Sequence, residues 1–261
     1  MHRILIPIDS QDPDSLAYAF EYAKKIFEVH KKGAKVVLLA RNEEKLKEVL
    51  SNLPNTGNQK HSYLVADFSK PVELKAVLEA SELQFQILVN NTGGPAGGPI
   101  FNAEIGEFEK AFTLHLKCNH ILVQAVVPYM KAQSYGRIIN VISTSVNQPL
   151  DGLGVSNTIR GAVANWSKTL ANELGQFSIT VNNVLPGATN TERLNEIIKN
   201  KAEKTGLSIE KVSKIMMDAS PAKRFAKPEE IANAIVFLAS NQASFINGIN
   251  VPVDGGRTKS L

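Results

Sequence analysis

The sequence predicts a single doubly wound α/β domain over residues 1–261, with a central parallel sheet and helices on both faces. Three observations lead there. Short apolar runs alternate with longer amphipathic ones from end to end, and strands separated by helices of that length pair in parallel. The 261 residues, 43% of them hydrophobic, suit one large core better than two small ones. Finally, the unusual polar and glycine residues gather just after apolar runs, at Arg41, Asp67, Asn91-Thr92-Gly93, Ser143 and Pro186-Gly187. In open parallel sheets, that is where ligands bind.

The elements follow in order. Residues 4–8 read as the first strand, and residues 12–32 as a helix with Leu16, Phe20, Ala23, Ile26 and Phe27 on one stripe. Residues 35–39 form a second strand and 43–53 a helix; residues 62–65 form a third strand and 70–82 a third helix. Residues 87–89 have the composition of a buried strand and lead into a glycine-rich loop over 92–99. A long helix over 103–133 is broken near Phe112. Strands over 137–142 and 179–184 enclose a helix over 157–174. A helix over 231–238 and a last strand over 249–251 close the chain. The charged, helical stretch 189–226 between two strands reads as an inserted piece, and residues 1–32 as an atypical first βα unit.

Composition removes several function classes. Lys and Arg number 29 against 25 Asp and Glu, with the excess spread over Lys24-Lys25, Lys31-Lys32 and residues 199–204. That pattern is a solvated helical face, not a nucleic-acid footprint. Cys118, the sole cysteine, excludes an internal disulfide and suits a reducing compartment. It sits in an apolar helical pattern, as an inert core thiol would. No apolar run approaches the roughly 18 residues that cross a bilayer. Met1-His2-Arg3 leads into a strand pattern and not a signal peptide, so no membrane partner and a cytoplasmic location are expected. His2, His30, His61 and His120 lack metal-ligand spacing, so no metal site is expected.

Ser143 closes the strand that begins at Gly136; Ser156 follows thirteen residues later, and Arg160 four after that. This spacing resembles the active site of the short-chain dehydrogenase/reductase family, where a tyrosine and a lysine stand at the last two positions. From about Gly33 onward other motifs follow the same family in order. Asn90-Asn91-Thr92-Gly93 resembles its Asn-Asn-Ala-Gly turn, and Asp67-Phe68 the pair flanking adenine. Pro186-Gly187 with Thr189 and Thr191 resembles the turn beside the nicotinamide, and Val253-Asp254-Gly255-Gly256 the close of its last strand. Within the family the likeness leans toward the 3-oxoacyl-carrier-protein reductases. The resemblance implies a Rossmann-like fold, hydride transfer between NADP and a small carbonyl substrate, and a dimer or tetramer. The last would form through helices over 103–133 and 157–174, whose apolar residues include Phe112, Leu116, Val123, Val127, Val163, Trp166, Leu170 and Leu174. Stretch 189–226 would be the substrate lid. Arg41, directly after the second strand, suits a 2′-phosphate through bidentate charge-assisted bonds.

Two departures set the functional expectation. The first turn, Pro7 to Ser15, has no glycine to bring backbone N–H groups to a pyrophosphate, and it carries Asp9, Asp12 and Asp14. NADP binding is therefore expected to be weak or absent. Residues 2–32 instead resemble the opening βα unit of universal stress proteins, as a natural or engineered fragment exchange would. The second departure is chemical. Ser156 is far too weakly acidic to replace the tyrosine, and Arg160 can hold a ribose but cannot shuttle protons. His115 stands where many relatives carry an asparagine and is a candidate general acid. The expectation is a reductase scaffold with weakened or lost activity; the alternatives are a non-catalytic scaffold or binding protein, or one that binds another nucleotide.

Overall fold

The structure, a computed structural model, describes residues 3–7, 34–53, 60–82 and 84–260. Among them seven strands form one parallel sheet: β1 (Arg3–Pro7), β2 (Lys35–Ala40), β3 (Ser62–Val65), β4 (Ile87–Asn90), β5 (Gly136–Val141), β6 (Ile179–Pro186) and β7 (Asn250–Val253). Their order is β3-β2-β1-β4-β5-β6-β7, so the winding reverses between β1 and β4 and opens a crevice at the carboxyl ends there. The doubly wound prediction holds. The helix expected over 12–32, the acidic first turn and the residue ending the first predicted strand lie outside the described residues.

The sheet forms because its strands are apolar on both faces. Ile4, Leu5, Ile6, Leu38, Leu39, Ile87 and Leu88 are fully buried. Alternate residues feed two cores. Ile4, Ile6, Val36 and Leu38 pack with Ile231, Ile235 and Val236 on one face. Leu5, Val37, Leu39 and Leu88 pack with Leu122, Val126 and Leu174 on the other.

The helices are α1 (Glu43–Ser51), α2 (Pro71–Ala80), α3 (Ile105–Phe112), α4 (Cys118–Ala132), α5 (Gly154–Leu174), α6 (Glu192–Thr205), α7 (Ile209–Asp218) and α8 (Pro228–Ala239). Local chemistry starts several of them. The Asn42 side chain accepts from the Lys45 N–H at α1, Pro71 opens α2 where its missing N–H costs nothing, and the Ser208 hydroxyl accepts from the Lys211 N–H at α7. The long helix expected over 103–133 is two helices joined by a π-helical turn, Thr113–Lys117. Helices α6 and α7 have a small core of their own: Leu194, Ile198, Ala202 and Val212. Their chain enters and leaves at one neck, where Ala226 donates to the Ala188 carbonyl and Asn190 to that of Ala226.

Four asparagines stand in register across the sheet, Asn90, Asn140 and Asn183 buried and Asn250 exposed on the edge strand β7. Asn90 Nδ2 donates to Asn140 Oδ1 (2.8 Å), Asn140 Nδ2 to Asn183 Oδ1 (3.0 Å), and Asn183 Nδ2 to Asn250 Oδ1 (2.8 Å). Asn140 also donates to Ser167 on α5. These bonds offset much of the cost of burying amides in the sheet, although Asn90 Oδ1 is buried without a partner among the described residues.

Half of the residues expected to meet a second copy are internal to this chain. Val123, Val163, Leu170 and Leu174 are buried in the chain's own cores. Their periodicity reported the core of a helix lying on a sheet. What this side leaves outward is Phe112, 46% exposed, with half-buried Leu116, Val127 and Trp166.

Candidate active site

Strand β5 ends at Val141, and Ser143 follows in extended conformation at the carboxyl edge of the sheet. Its hydroxyl oxygen accepts the Ser145 N–H at 3.1 Å, which fixes the side chain and leaves the hydroxyl hydrogen able to donate. The glycine-rich loop is pinned to the start of α5, with the Gly98 N–H donating to the Gly152 carbonyl and the Gly154 N–H to that of Gly98. Gly154 is needed there, since a Cβ would lie 2.5 Å from Ile100 Cα. This close approach places Ser156, half-buried, in the first turn of α5.

One helical turn on, Arg160 points inward and is 6% exposed. Its guanidinium donates to the Val141 carbonyl (3.2 Å) at the end of β5 and to the Thr92 carbonyl (2.9 Å) beyond β4. Arginine thus ties two strand ends and α5 together. Thr92 is shared, because its hydroxyl and His115 Nδ1 form a 2.6 Å hydrogen bond. The π-helical turn rotates His115 inward to 1% exposure, and irregular helix of this kind often accompanies functional positions. His115 Nε2 is buried with no hydrogen-bond partner. Burial first, then the charges of Arg160 and Arg193, hold the imidazole well below its ordinary pKa, so it is neutral at neutral pH. Arg193, from the first turn of α6, donates to the Gly94 carbonyl and so joins the site from the excursion between β6 and α8. No motif in the sequence pointed to it.

The other predicted residues line the same edge. Arg41 is exposed immediately after β2. Asp67 follows β3; partial burial pushes its pKa up, but the Ser69 N–H at 2.8 Å and the charges of Arg41 and Lys70 outweigh this and hold it below the ordinary range. Phe68 is buried, and its carbonyl accepts from Cys118, whose thiol burial pushes up to about 12. Such a thiol is inert. Asn91, Thr92 and Gly93 are buried at the end of β4. Pro186 and Gly187 are half-buried at the end of β6, where the Thr189 hydroxyl donates to the Gly187 carbonyl. Four strand ends, those of β2, β3, β4 and β6, thus present one set of residues, while Ser143, Ser156, Arg160 and His115 form a second set around β4, β5 and α5.

The family model described as enoyl-(acyl carrier protein) reductase matches residues 5–258. The L-xylulose reductase of Caenorhabditis elegans is 31% identical over 229 residues, covering 87% of this chain and 86% of that protein. The chain is a short-chain dehydrogenase/reductase. The 3-oxoacyl-[acyl-carrier-protein] reductase of Rickettsia felis is 29% identical over 228 residues, covering 87% of this chain and 88% of the other. Among solved structures, L-sorbose reductase from Gluconobacter frateurii, complexed with NADPH and L-sorbose, superposes with a TM-score of 0.87. It is 31% identical and covers all of this chain and 97% of its own. The scaffold is therefore that of an NAD(P)-dependent oxidoreductase, and among the described residues no helix is long and apolar enough to cross a membrane.

The dinucleotide this family uses meets two different receptions in this reductase scaffold. The residues that the family resemblance would assign to the adenosine end are an exposed guanidinium at Arg41, a carboxylate at Asp67 held by the Ser69 N–H, and the buried segment 91–93. The cation and acceptor of this set suit a phosphorylated ribose and an adenine. At the ribose end, the family's lysine position holds Arg160, whose guanidinium donates to two carbonyls. The turn that would face the pyrophosphate lies outside the described residues.

Proposed function

We propose that this chain is a short-chain reductase scaffold whose NADP-dependent carbonyl reduction is weakened or lost. The observation that carries the reading is the pairing of Ser156 with Arg160. A serine hydroxyl is far less acidic than the family's tyrosine phenol and no better a proton donor than water, so it offers no tuned general acid. Arg160 donates to the Val141 and Thr92 carbonyls. Likeness to a reductase complexed with NADPH, together with exposed Arg41, supports NADP as the cofactor. The glycine-free first turn with Asp9, Asp12 and Asp14 supports weak or absent binding.

Where reduction persists, bound NADPH would supply the hydride to the carbonyl carbon. Ser143 would donate its hydroxyl hydrogen to the carbonyl oxygen, stabilising charge as it develops. Asn91, Thr92 and Gly93 would line the adenosine side, and Pro186, Gly187 and Thr189 the nicotinamide side. The proton that converts alkoxide to alcohol would come from water, leaving hydroxide. His115, neutral and buried, has no extra proton to give near pH 7. The remaining surface around Phe112 and Trp166 is the proposed contact with a second copy.

The test is NADPH oxidation with a panel of ketoses and 3-oxoacyl thioesters. Turnover should be slow or undetectable, and the Ser156→Tyr/Arg160→Lys double variant should raise it. Brisk wild-type turnover that the double variant lowers would overturn the proposal. Calorimetric titration should find NADPH affinity weaker than micromolar.

A further inference from the structure

A cavity of about 100 Å³ lies between the base of the α6–α7 excursion and the end of β7. Its walls include Met216, Ser220 and Arg224 from one side and Val253, Asp254 and Arg257 from the other. Most polar groups there are already matched. Arg224 forms a bidentate pair with Glu230, 2.7 Å for each bond. The Asp254 carboxylate accepts the Gly256 N–H (2.9 Å) and the Thr258 N–H (2.8 Å), and the Ser220 hydroxyl donates to the Asp254 and Gly255 carbonyls. Arg257 differs. It is half-buried, it lines the cavity, and among the described residues its guanidinium makes no hydrogen bond or ion pair.

The half-buried Arg257 side chain that lines this cavity is a planar fork of donors with no protein acceptor among the described residues. Carboxylate and phosphate match that fork in geometry and charge. Met216 and Val253 supply apolar wall, which limits competing water around such a contact.

We propose that this cavity is a binding site for a small oxyanion, a phosphate or carboxylate group, recognised by Arg257. The walls come from two parts of the chain, the excursion with its Ala188–Ala226 neck and the end of β7. An occupant therefore bridges the excursion to the last strand and favours the arrangement in which both are packed. Ala188 also lines the cavity, which therefore adjoins the proposed nicotinamide turn at Gly187 and Thr189, but anion binding here does not depend on catalysis.

Thermal unfolding in increasing inorganic phosphate, with ionic strength held constant by sodium chloride, tests it. Wild type should gain about 3 °C at tens of millimolar phosphate, because a ligand that binds only the folded state stabilises by mass action. Arg257→Gln should lose that gain while keeping the phosphate-free midpoint, since the side chain makes no bond there. Arg41→Asp, which removes the exposed cation of the cofactor crevice, should keep the gain. Phosphorus NMR line broadening on the native proteins gives a second readout, present for wild type and absent for Arg257→Gln. Repeating the series with acetate distinguishes a carboxylate preference, seen as a larger gain with acetate than with phosphate. A wild type indifferent to both anions, or a gain abolished by Arg41→Asp and kept by Arg257→Gln, would overturn the proposal.

Discussion

The two ends of the strand crevice differ in what they have kept. Around β2, β3 and β4 the residues follow the family pattern. Arg41 stands exposed, the Asp67 carboxylate is fixed by the Ser69 N–H, and Asn91 to Gly93 form a buried turn. Around β5 and α5 the reacting positions are changed together. Ser156 replaces the tyrosine; Arg160 replaces the lysine and bonds to the Thr92 carbonyl, while Thr92 in turn holds His115. On the proposed reading, the edge assigned to the nucleotide retains the family's residue types while the positions assigned to proton handling are built around an arginine that joins two strand ends.

The comparison can be broken or sharpened experimentally. The largest effect is expected at Ser143. If any ketone reduction exists, Ser143→Ala should lower kcat by on the order of 10²-fold, as loss of a donor to developing charge does. Ser156→Ala should barely change it. Equal activity in wild type and Ser143→Ala, measured by NADPH oxidation, would remove Ser143 from the reacting end. Next in size, Asn140→Ala should cost roughly 2 kcal/mol in urea unfolding, because partners in Asn90, Asn183 and Ser167 are left buried without it. That variant tests whether the fold is held apart from the site.

A smaller effect is expected at the nucleotide end. Arg41→Asp should weaken NADPH by about tenfold relative to NADH, the scale of one charge-assisted contact. Identical ratios in a fluorescence titration would place the 2′-phosphate elsewhere. The smallest concerns His115. Its folded pKa lies well below the ordinary value, whereas an unfolded imidazole takes up a proton near pH 6.5. Below about 6.5 the unfolded state holds the extra proton, so stability falls as pH drops, by at most about 1.4 kcal/mol per unit. His115→Asn should flatten the urea midpoint between about pH 7 and 5; an unchanged slope would mean that the histidine is not held neutral.

How much of this was legible depends on range. Strand positions, set by local apolar runs, fell within a residue or two of the observed bounds, as at residues 62–65. The interruption near Phe112 was visible, but not that it is a π-helical turn aiming His115 at Thr92. That depends on a strand end 23 residues earlier in the chain. Arg193 joins Gly94 across 99 residues, and no spacing rule reaches that far. The apolar stripes on α4 and α5 were read as a surface because periodicity reports a buried face without saying what buries it. Ser143, Ser156 and Arg160 were singled out by spacing, yet the bonding of Arg160 to two carbonyls required the two strand ends to be seen together.

The asparagine ladder also bears on how the chain reaches this state. Each amide meets its neighbour only when β4, β5, β6 and β7 are aligned residue for residue. A slip of one position would turn an asparagine toward the opposite helical layer and strand its former partners in an apolar interior. Val, Ile and Leu, which dominate these strands, would tolerate such a slip with little penalty. The buried rungs Asn90, Asn140 and Asn183 therefore give the observed register an advantage that apolar side chains alone would not.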